Sequence, residues 1–430
     1  MVPADHWSRA VTRRLVLLDT GSLIRIARGW PRPRAELPTT GDSAATSTAE
    51  LQAGFLSRAG AMQAGTSLRT ADGFFYPGPR PLADRNTPFL AANLAAQMTP
   101  ALAAGVETSA TDAGLTVRAA YLNWAWGPVD GWIGRRPIGL GTGPRDGIVL
   151  NERTSFNGTG VALREGVKIP VLGRLYADIS AARLRRSGTV RHPWFHATRL
   201  TISPQNSLAI GLNRAAIFGG DDENEITPAR IALMLLGFPD VSGKDSDFEN
   251  QVASIELLWR TAVRGWPLAL HTEYGADDSG FAFLHVPAMI AGVELVAVPG
   301  APHLGVGVEA VYFSRRCCTY PPWYRHGALA DGWTDRGGLL GHPLGGDGTE
   351  LAMTVEWIPT RQNGVASLRL YERHRGVDNL FAPNRAGNSV GGELSVVMPW
   401  RRFRFEVRAD GERWEGERAG GLRVFGSRSF

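Results

Sequence analysis

Aromatic, basic and acidic residues gather in one glycine-rich stretch of the sequence, between Arg315 and Thr349. The side chains there that could do chemistry are Trp323, Tyr324, Arg325, Trp333, Asp335, Arg336, His342 and Asp347. Aromatic rings stack on sugar rings, arginines pair with uronate or phosphate groups, and aspartates accept hydrogen bonds from hydroxyls. The stretch therefore predicts a non-catalytic site for an acidic sugar polymer or, alternatively, a loop that folds inward around its own aromatic core.

A second group of arginines surrounds a glycine-rich loop that follows a short strand: Arg135, Arg136, Arg145 and Arg153. These arginines could contact the same acidic ligand. Inside a β-barrel, however, arginines commonly pair with lumenal Glu and Asp, because a charge that faces lipid costs about 2–4 kcal/mol at the membrane midplane. Both a ligand role and a structural role are therefore kept for this group.

Patterns typical of enzymes and metal sites are weak or missing in the sequence. No Cys-x-x-Cys or His-Glu-x-x-His pattern occurs, and the one Gly-x-Ser-x-Gly spacing, Gly387–Gly391, is not followed by a helical pattern as a nucleophile elbow would be. The acidic run Asp221–Glu225 could bind Ca²⁺ through its oxygens, but it lacks an EF-hand pattern and a solvated acidic loop is the favoured interpretation. We therefore predict no catalytic residue, no cofactor and no metal, with a Ser–His pair assembled across strands as the enzymatic alternative.

The candidate residues lie in or next to segments in which apolar and polar residues alternate. In Glu350–Trp357 and Phe403–Arg408, apolar residues alternate with polar or charged ones, which is typical of a strand with one apolar and one polar face. Helical spacing is found near the N-terminus, where Asp5 can cap a short amphipathic helix that runs to Leu18, and the apolar stretch Ile231–Phe238 predicts a further short helix within a long connection. The sequence therefore predicts an all-β fold after a short N-terminal helical segment.

Two kinds of connection alternate along the chain. The tight turns lie at Thr99-Pro100, Gly127-Pro128, Pro170–Gly173, Pro204–Asn206, Gly265–Pro267, Pro299–Pro302, Pro359–Gly364 and Pro399-Trp400. The longer connections include Ala71–Thr87, Gly141–Gly158, Gly219–Asn250, Arg315–Thr349 and Arg375–Gly387. Short turns at one rim and long loops at the other are typical of an outer-membrane barrel. Eight turns and nine other connections join eighteen strands.

Composition narrows the class of protein further. The chain has 430 residues without a linker, its only cysteines are Cys317 and Cys318, and Met1–Asp5 shows no secretory signal. No apolar run is long enough for a membrane-spanning helix, but this does not exclude a transmembrane β-barrel. The net charge of +5 comes almost wholly from arginine, whose planar fork suits carboxylates and phosphates. Since the arginines are spread along the strands and do not cluster, nucleic acid is not an expected partner.

Several stretches, in the right order, resemble the Wzi family of outer-membrane capsule-assembly proteins. They are Val2–Trp7, Gly139–Arg153, Gly211–Gly220 and, most clearly, Trp323–Asp347. The resemblance implies an eighteen-stranded barrel whose lumen is obstructed by a periplasmic helical region and by extracellular loops. It also implies that capsular polysaccharide binds at the outer surface.

We therefore predict an N-terminal periplasmic helical segment over residues 1–45 and, over residues 46–430, a transmembrane antiparallel β-barrel of about 18 strands with long extracellular loops. The expected protein is a monomer in the outer membrane of a Gram-negative cell. It binds or anchors acidic capsular or exported polysaccharide without being an enzyme, and it contacts membrane lipid and lipopolysaccharide. A porin-like passive channel is the main alternative, and a barrel hydrolase comes after it.

Overall fold

A computed structural model describes most of the chain from Ser47 to Ser429. The described residues are 47–59, 87–99, 101–111, 114–141, 143, 147–151, 154–163, 166–187, 190–221, 227–229, 231, 249–277, 287–315, 323–324, 332–335, 338–358, 364–381, 386–401 and 403–429. The helix predicted before Leu18 lies outside these residues. Within them, no helix has the length and apolar character needed to cross a membrane.

The described residues form a succession of β-strands. Their bounds are β1 Ser47–Ala59, β2 Thr87–Thr99, β3 Leu102–Thr111, β4 Gly114–Trp126, β5 Val129–Pro137, β6 Ser155–Leu163, β7 Val167–Ile169, β8 Gly173–Arg183, β9 Arg186–Ser187, β10 Val190–Arg191, β11 Trp194–Gln205, β12 Leu208–Phe218, β13 Glu249–Val263, β14 Trp266–Asp277, β15 Ala288–Leu295, β16 Leu304–Phe313, β17 Thr334–Asp335, β18 Gly338–Leu339, β19 Gly348–Trp357, β20 Val365–Arg375, β21 Gly387–Trp400, β22 Phe403–Trp414 and β23 Glu417–Ser429.

One antiparallel sheet closes on itself to form a barrel. Each long strand pairs with the next long strand along the chain, and β1 pairs with both β2 and β23. The sheet has 19 strands, but β7 is a piece of 3 residues that continues β6 along β8, so the wall has eighteen. The predicted fold class is therefore confirmed. Because the barrel is closed, its described wall has no unpaired strand edge. A β-structure in a membrane must meet this condition, since lipid cannot form hydrogen bonds with the backbone.

The two faces of the wall differ in polarity, as the period of two predicts. Along β20, buried residues alternate with more exposed ones over the whole strand. The buried positions include Arg369 and Arg373, whereas Leu368 and Leu370 on the other face are 40% and 52% exposed. A polar lumenal face and an apolar outward face are the arrangement expected when the solvent around the barrel is lipid.

Tryptophans mark one rim of the barrel. Trp126, Trp266, Trp357 and Trp400 point outward, are 46–83% exposed, and lie at strand ends next to short turns. Tryptophan favours the boundary between lipid and water because its ring is apolar and its N–H is polar. This short-turn rim therefore lies at one membrane interface.

All eight predicted tight turns connect strands at that rim. The turn between β13 and β14 shows why glycine is needed there: Arg264 and Gly265 both have positive φ, 53° and 82°, as a type I′ hairpin requires. The strands that the longer predicted connections join end at the opposite, long-loop rim. Residues 415–416 form a short connection at this second rim.

Candidate functional site

Three connections from the long-loop rim fold together inside the barrel. They are the β5–β6 loop (residues 138–154), the β16–β19 loop (314–347) and the β20–β21 loop (376–386), and we call them together the plug. Most of their described apolar side chains belong to a single buried cluster that also contains wall residues such as Phe195 and Phe313, whereas Val377 is exposed. The site predicted from sequence therefore lies in a packed structure and not in three separate loops.

The aromatic residues of the predicted site form the core of the plug. Trp323, Tyr324 and Trp333 are at most 1% exposed. The Trp323 ring meets the Phe313 ring edge-on with centroids 5.0 Å apart, and Trp333 lies 6.2 Å from Phe195. Because their faces are covered by protein, these rings pack as the second sequence interpretation describes, a loop closed around its own aromatic core.

Hydrogen bonds join the β5–β6 loop to the β16–β19 loop. The side-chain amide of Asn151 donates to the carbonyls of Leu339 and Gly341 at 2.8 and 2.6 Å. The indole N–H of Trp333 donates to the carbonyl of Val149 at 2.8 Å. Asn151 was not among the predicted site residues, and only its place in a stretch resembling the Wzi family drew attention to it.

Asp347 organises the contact with the β20–β21 loop. Its carboxylate accepts a hydrogen bond from the backbone N–H of Asp378 at 3.1 Å. Asn379 donates from its side chain to the carbonyls of Leu344 and Asp347 at 2.9 and 3.0 Å. A Cβ at Gly376 would lie 1.9 Å from an Asp347 carboxylate oxygen, so any larger residue there would displace this carboxylate. Asp347 itself is buried.

Asp335 ties the plug to the connection between β8 and β11. One carboxylate oxygen accepts hydrogen bonds from the backbone N–H groups of Arg185 and Arg186 at 2.9 and 3.3 Å. Nearby, the Ser187 hydroxyl donates to the carbonyl of Gly332 at 3.1 Å. The backbones of Arg185 and Arg186 are thus fixed, while the two residues themselves are exposed.

His342 is a neutral part of the plug core. It is 2% exposed, and its Nδ1 accepts a hydrogen bond from the backbone N–H of Leu344 at 3.2 Å. Burial lowers the pKa of His342 to about 4, although the nearby carboxylates of Glu350 and Glu309 act in the opposite direction. The ring therefore carries no charge at neutral pH.

The β5–β6 loop reaches the middle of the barrel wall. The backbone N–H of Ile148 donates to Glu273 on β14 at 3.0 Å. A Cβ at Gly143 would lie 3.5 Å from a carboxylate oxygen of Glu309 on β16 and 3.6 Å from the ring of His271. Since these wall residues belong to the interior of their strands, the loop obstructs the lumen well below the rim.

The described arginines of the second predicted group lie on opposite faces of the barrel wall. Arg136 faces the lumen, where its guanidinium lies over the Trp132 ring at 5.0 Å and donates to the Asn123 side chain at 3.3 Å. Arg135 faces outward and donates to the side chain of Asn157 at 3.1 Å. Adjacent strand residues point to opposite faces, so these two arginines do not act together. Arg145, Arg153, Arg325 and Arg336 lie outside the described residues.

Lumenal arginines elsewhere are paired with carboxylates. Arg375 and Arg373 contact the two carboxylate oxygens of Glu412 at 2.9 and 3.3 Å, and Arg373 and Arg369 both contact Glu350. These pairs fit the structural role that the sequence analysis weighed for lumenal arginines. Among the described residues, no three His, Cys, Asp or Glu side chains come together as they would to hold a metal.

The fold and the plug define a class of protein. A closed antiparallel barrel with an apolar outward face, short turns at one rim and long loops at the other is an outer-membrane β-barrel protein, and its long loops face the cell exterior. The family model of the capsule assembly protein Wzi matches residues 83–418. This chain therefore belongs to the Wzi family of capsule assembly proteins, and the resemblance seen in the sequence is confirmed.

Solved structures show the same fold. The chain is similar to Wzi of Escherichia coli, described as an outer-membrane protein involved in group 1 capsule assembly and a carbohydrate-binding β-barrel, with a TM-score of 0.67 and 18% identity over 87% of this chain and 83% of that one. It is also similar to OccK5 of Pseudomonas aeruginosa, with a TM-score of 0.55 and 9% identity over 90% and 97% of the two chains.

A curated relative supports the same family. The chain is 28% identical, over 138 residues, to an uncharacterized 55.8 kDa protein in the cps region of Klebsiella pneumoniae. The match covers 31% of this chain and 25% of that protein, so the chain spans about a quarter of that relative's length.

Proposed function

We propose that this protein is a non-enzymatic, lectin-like barrel that holds acidic capsular or exported polysaccharide on the extracellular surface of its plug. The observation that carries the proposal is the plug itself, a buried aromatic and hydrogen-bonded scaffold that obstructs the lumen and holds exposed arginines at its edge. The carbohydrate binding described for the Escherichia coli protein of the same family supports it.

The predicted site residues divide into two roles under this proposal. Trp323, Tyr324, Trp333, His342 and Asp347 are buried and build the scaffold. Asp335 positions the connection that carries Arg185 and Arg186.

The arginines are the proposed ligand contacts. Arg185, Arg186 and Arg315 are exposed, and the Arg315 side chain, 68% exposed, lies 3.7 Å from the carboxylate of Asp378. Arg145, Arg153, Arg325 and Arg336 remain predicted contacts. Arginine pairs with uronate or phosphate groups through two parallel hydrogen bonds, so several exposed arginines suit an acidic polymer.

Three further features belong to the proposal. Residues 1–45 are proposed to lie on the periplasmic side, and the start of β1 at the short-turn rim, where Ser47 pairs with Ala96, supports this. The barrel acts as a monomer. Its other partners are membrane lipid and lipopolysaccharide.

The test is direct binding of the purified, detergent-solubilised protein to the organism's own capsular polysaccharide, with an unrelated acidic polymer as the specificity control. The double variant Arg185→Gln with Arg186→Gln should bind more weakly. The matched control is Arg264→Gln with Arg401→Gln, which removes two exposed arginines from turns of the short-turn rim and should bind as the wild type does.

The proposal would be supported if the wild type and the control retain the polymer but the variant Arg185→Gln with Arg186→Gln does not. No retention of any polymer at low salt, together with open conductance in a planar bilayer, would overturn it in favour of the porin-like channel.

A further inference from the structure

A row of polar side chains crosses the outward face of the barrel at its extracellular end. Neighbouring strands pair Arg135 with Asn157, Asn157 with Arg183, and Arg183 with Trp194. Partners in an antiparallel pair share a face, and this face is outward because the adjacent residues Arg136 and Phe156 point into the barrel. Asn157, Arg183 and Trp194 are all exposed.

A second polar layer lies just below this row on β11, β12 and β13. Thr198 pairs with Arg214 on the outward face, and the Arg214 guanidinium donates from Nε to the side chain of Gln251 at 2.8 Å. Thr198 and His196 are hydrogen-bonded to each other at 2.6 Å. Arginine and histidine on a lipid-facing surface are costly unless a polar layer surrounds them.

The apolar surface begins immediately beneath. The next outward pair, Leu200 with Leu212, is 37% and 44% exposed, and Ile255 beside it is 48% exposed. The two polar layers therefore lie where acyl chains end and the headgroups of the outer leaflet begin. We call the surface formed by Arg135, Asn157, Arg183, Trp194, His196, Thr198 and Arg214 the rim patch; Gln251, the hydrogen-bond partner of Arg214, is buried at its edge.

Among the described side chains, the rim patch carries a net positive charge. Its three arginines face one acidic residue, Asp221, which lies 3.0 Å from Arg183 and 2.6 Å from His192. Arg191 also forms a backbone bridge with Asp221. The positive charge that remains suits an anionic headgroup.

The position of the Arg183 guanidinium is fixed by neighbouring groups. Its guanidinium lies over the Trp194 ring at 5.1 Å and donates to the carbonyl of His192 at 2.9 Å. A planar guanidinium fixed in this way binds phosphate with two parallel hydrogen bonds, which an ammonium cannot do. The apolar surface directly below can contact the acyl chains of a lipid. Inorganic phosphate has no acyl chains and would not use this surface.

We propose that the rim patch is a binding site for a phosphorylated headgroup of lipopolysaccharide in the outer leaflet, with the phosphates on Arg183 and Arg214 and the acyl chains against Leu200 and Leu212. The inference rests on the lipopolysaccharide contact named in the proposed function. The site lies on the outside of the barrel, away from the plug, so its failure would leave polysaccharide binding by the plug unaffected. It ties the barrel to the glycolipid that surrounds it.

Native mass spectrometry of the detergent-solubilised protein with added bisphosphorylated lipid A tests the proposal. The variant Arg183→Gln with Arg214→Gln should lose about tenfold or more in affinity, because two charge-assisted contacts are removed. The control is Arg413→Gln with Arg418→Gln, an exposed outward pair at the extracellular ends of β22 and β23 on the opposite side of the barrel. This control should bind lipid A as the wild type does.

Further arms identify the ligand and exclude misfolding. Phosphatidylglycerol should compete weakly and inorganic phosphate should not compete at micromolar concentrations. Arg183→Lys with Arg214→Lys should restore part of the binding, and all variants should show the heat-dependent mobility of a folded barrel on gels. Equal loss in the two Gln variants, or unchanged binding by Arg183→Gln with Arg214→Gln, would overturn the proposal.

Discussion

At the scale of single residues, Asn151 illustrates how the plug is held together. Its side chain is 1% exposed and donates to two carbonyls of the β16–β19 loop. Asn151→Ala would leave both carbonyls buried without these donors, which should destabilise the plug by about 2–4 kcal/mol. Faster proteolysis within residues 138–154 of the folded barrel is the expected observation.

The matched control is Asn206→Ala, since Asn206 is exposed in the turn between β11 and β12. It should leave the cleavage rate unchanged. If Asn151→Ala is cleaved no faster than Asn206→Ala, the contact between the two loops contributes little to the plug.

A second residue, His342, should make the plug sensitive to acid. Its pKa is lowered from 6.5 to about 4 by burial, so the unfolded loop binds more protons than the folded loop between these pH values. Stability should be complete above pH 6.5 and fall as the pH drops towards 4, by about 3 kcal/mol at most. Hydrogen exchange of residues 338–347, corrected for intrinsic rates, measures this loss.

The variant His342→Gln keeps an acceptor for the N–H of Leu344 but has no proton to gain, and it should flatten this pH dependence. Exchange in the wall strands β11 and β12 serves as the internal reference. An equal pH dependence in the variant and the wild type would assign the acid response to another group.

At the scale of elements, the β5–β6 loop should be the part of the plug that blocks conduction. Its residues reach Glu273 and Glu309 in the middle of the wall. Deletion of residues 141–147 should therefore raise single-channel conductance in a planar bilayer well above that of the wild type. Replacing the same seven positions with a Gly-Ser segment of equal length distinguishes removal of the loop from the loss of particular contacts.

If the deletion variant conducts no better than the wild type, other segments close the lumen and the β5–β6 loop only lines it. A wild-type protein that already conducts freely would favour the porin-like alternative.

The elements also show what could be predicted from sequence. The alternation in Glu350–Trp357 and the Pro or Gly turns located the strands and both rims, because strand period and turn chemistry are local. The same alternation directs Arg135 outward and Arg136 into the lumen. The sequence analysis placed both in one group and did not apply the alternation to them. The burial of Trp333 and the bond from Asp335 to the N–H of Arg185 depend on strand register over some 150 positions, which no local pattern records.

At the scale of the whole molecule, closure makes the barrel cooperative. The last strand, β23, pairs with β22 from Phe403 and Arg428 to Trp414 and Glu417, and with β1 from Glu50 and Ser429 to Ala59 and Gly420. Truncation before Glu417 would leave β1 and β22 as two open edges. Unpaired backbone groups in lipid cost several kcal/mol each, far more than a domain's net stability can absorb.

The truncated chain should therefore fail to reach the form that resists SDS and shifts its mobility on heating, and it should remain accessible to protease along its length. The deletion of residues 141–147 is the appropriate control, because it removes part of a loop but no wall strand and should fold normally. A truncated chain that still gives the heat-modifiable form would mean that β1 and β22 can pair directly and close a smaller barrel. In that case the eighteen-stranded wall would be one of two closures open to this sequence and not a requirement of it.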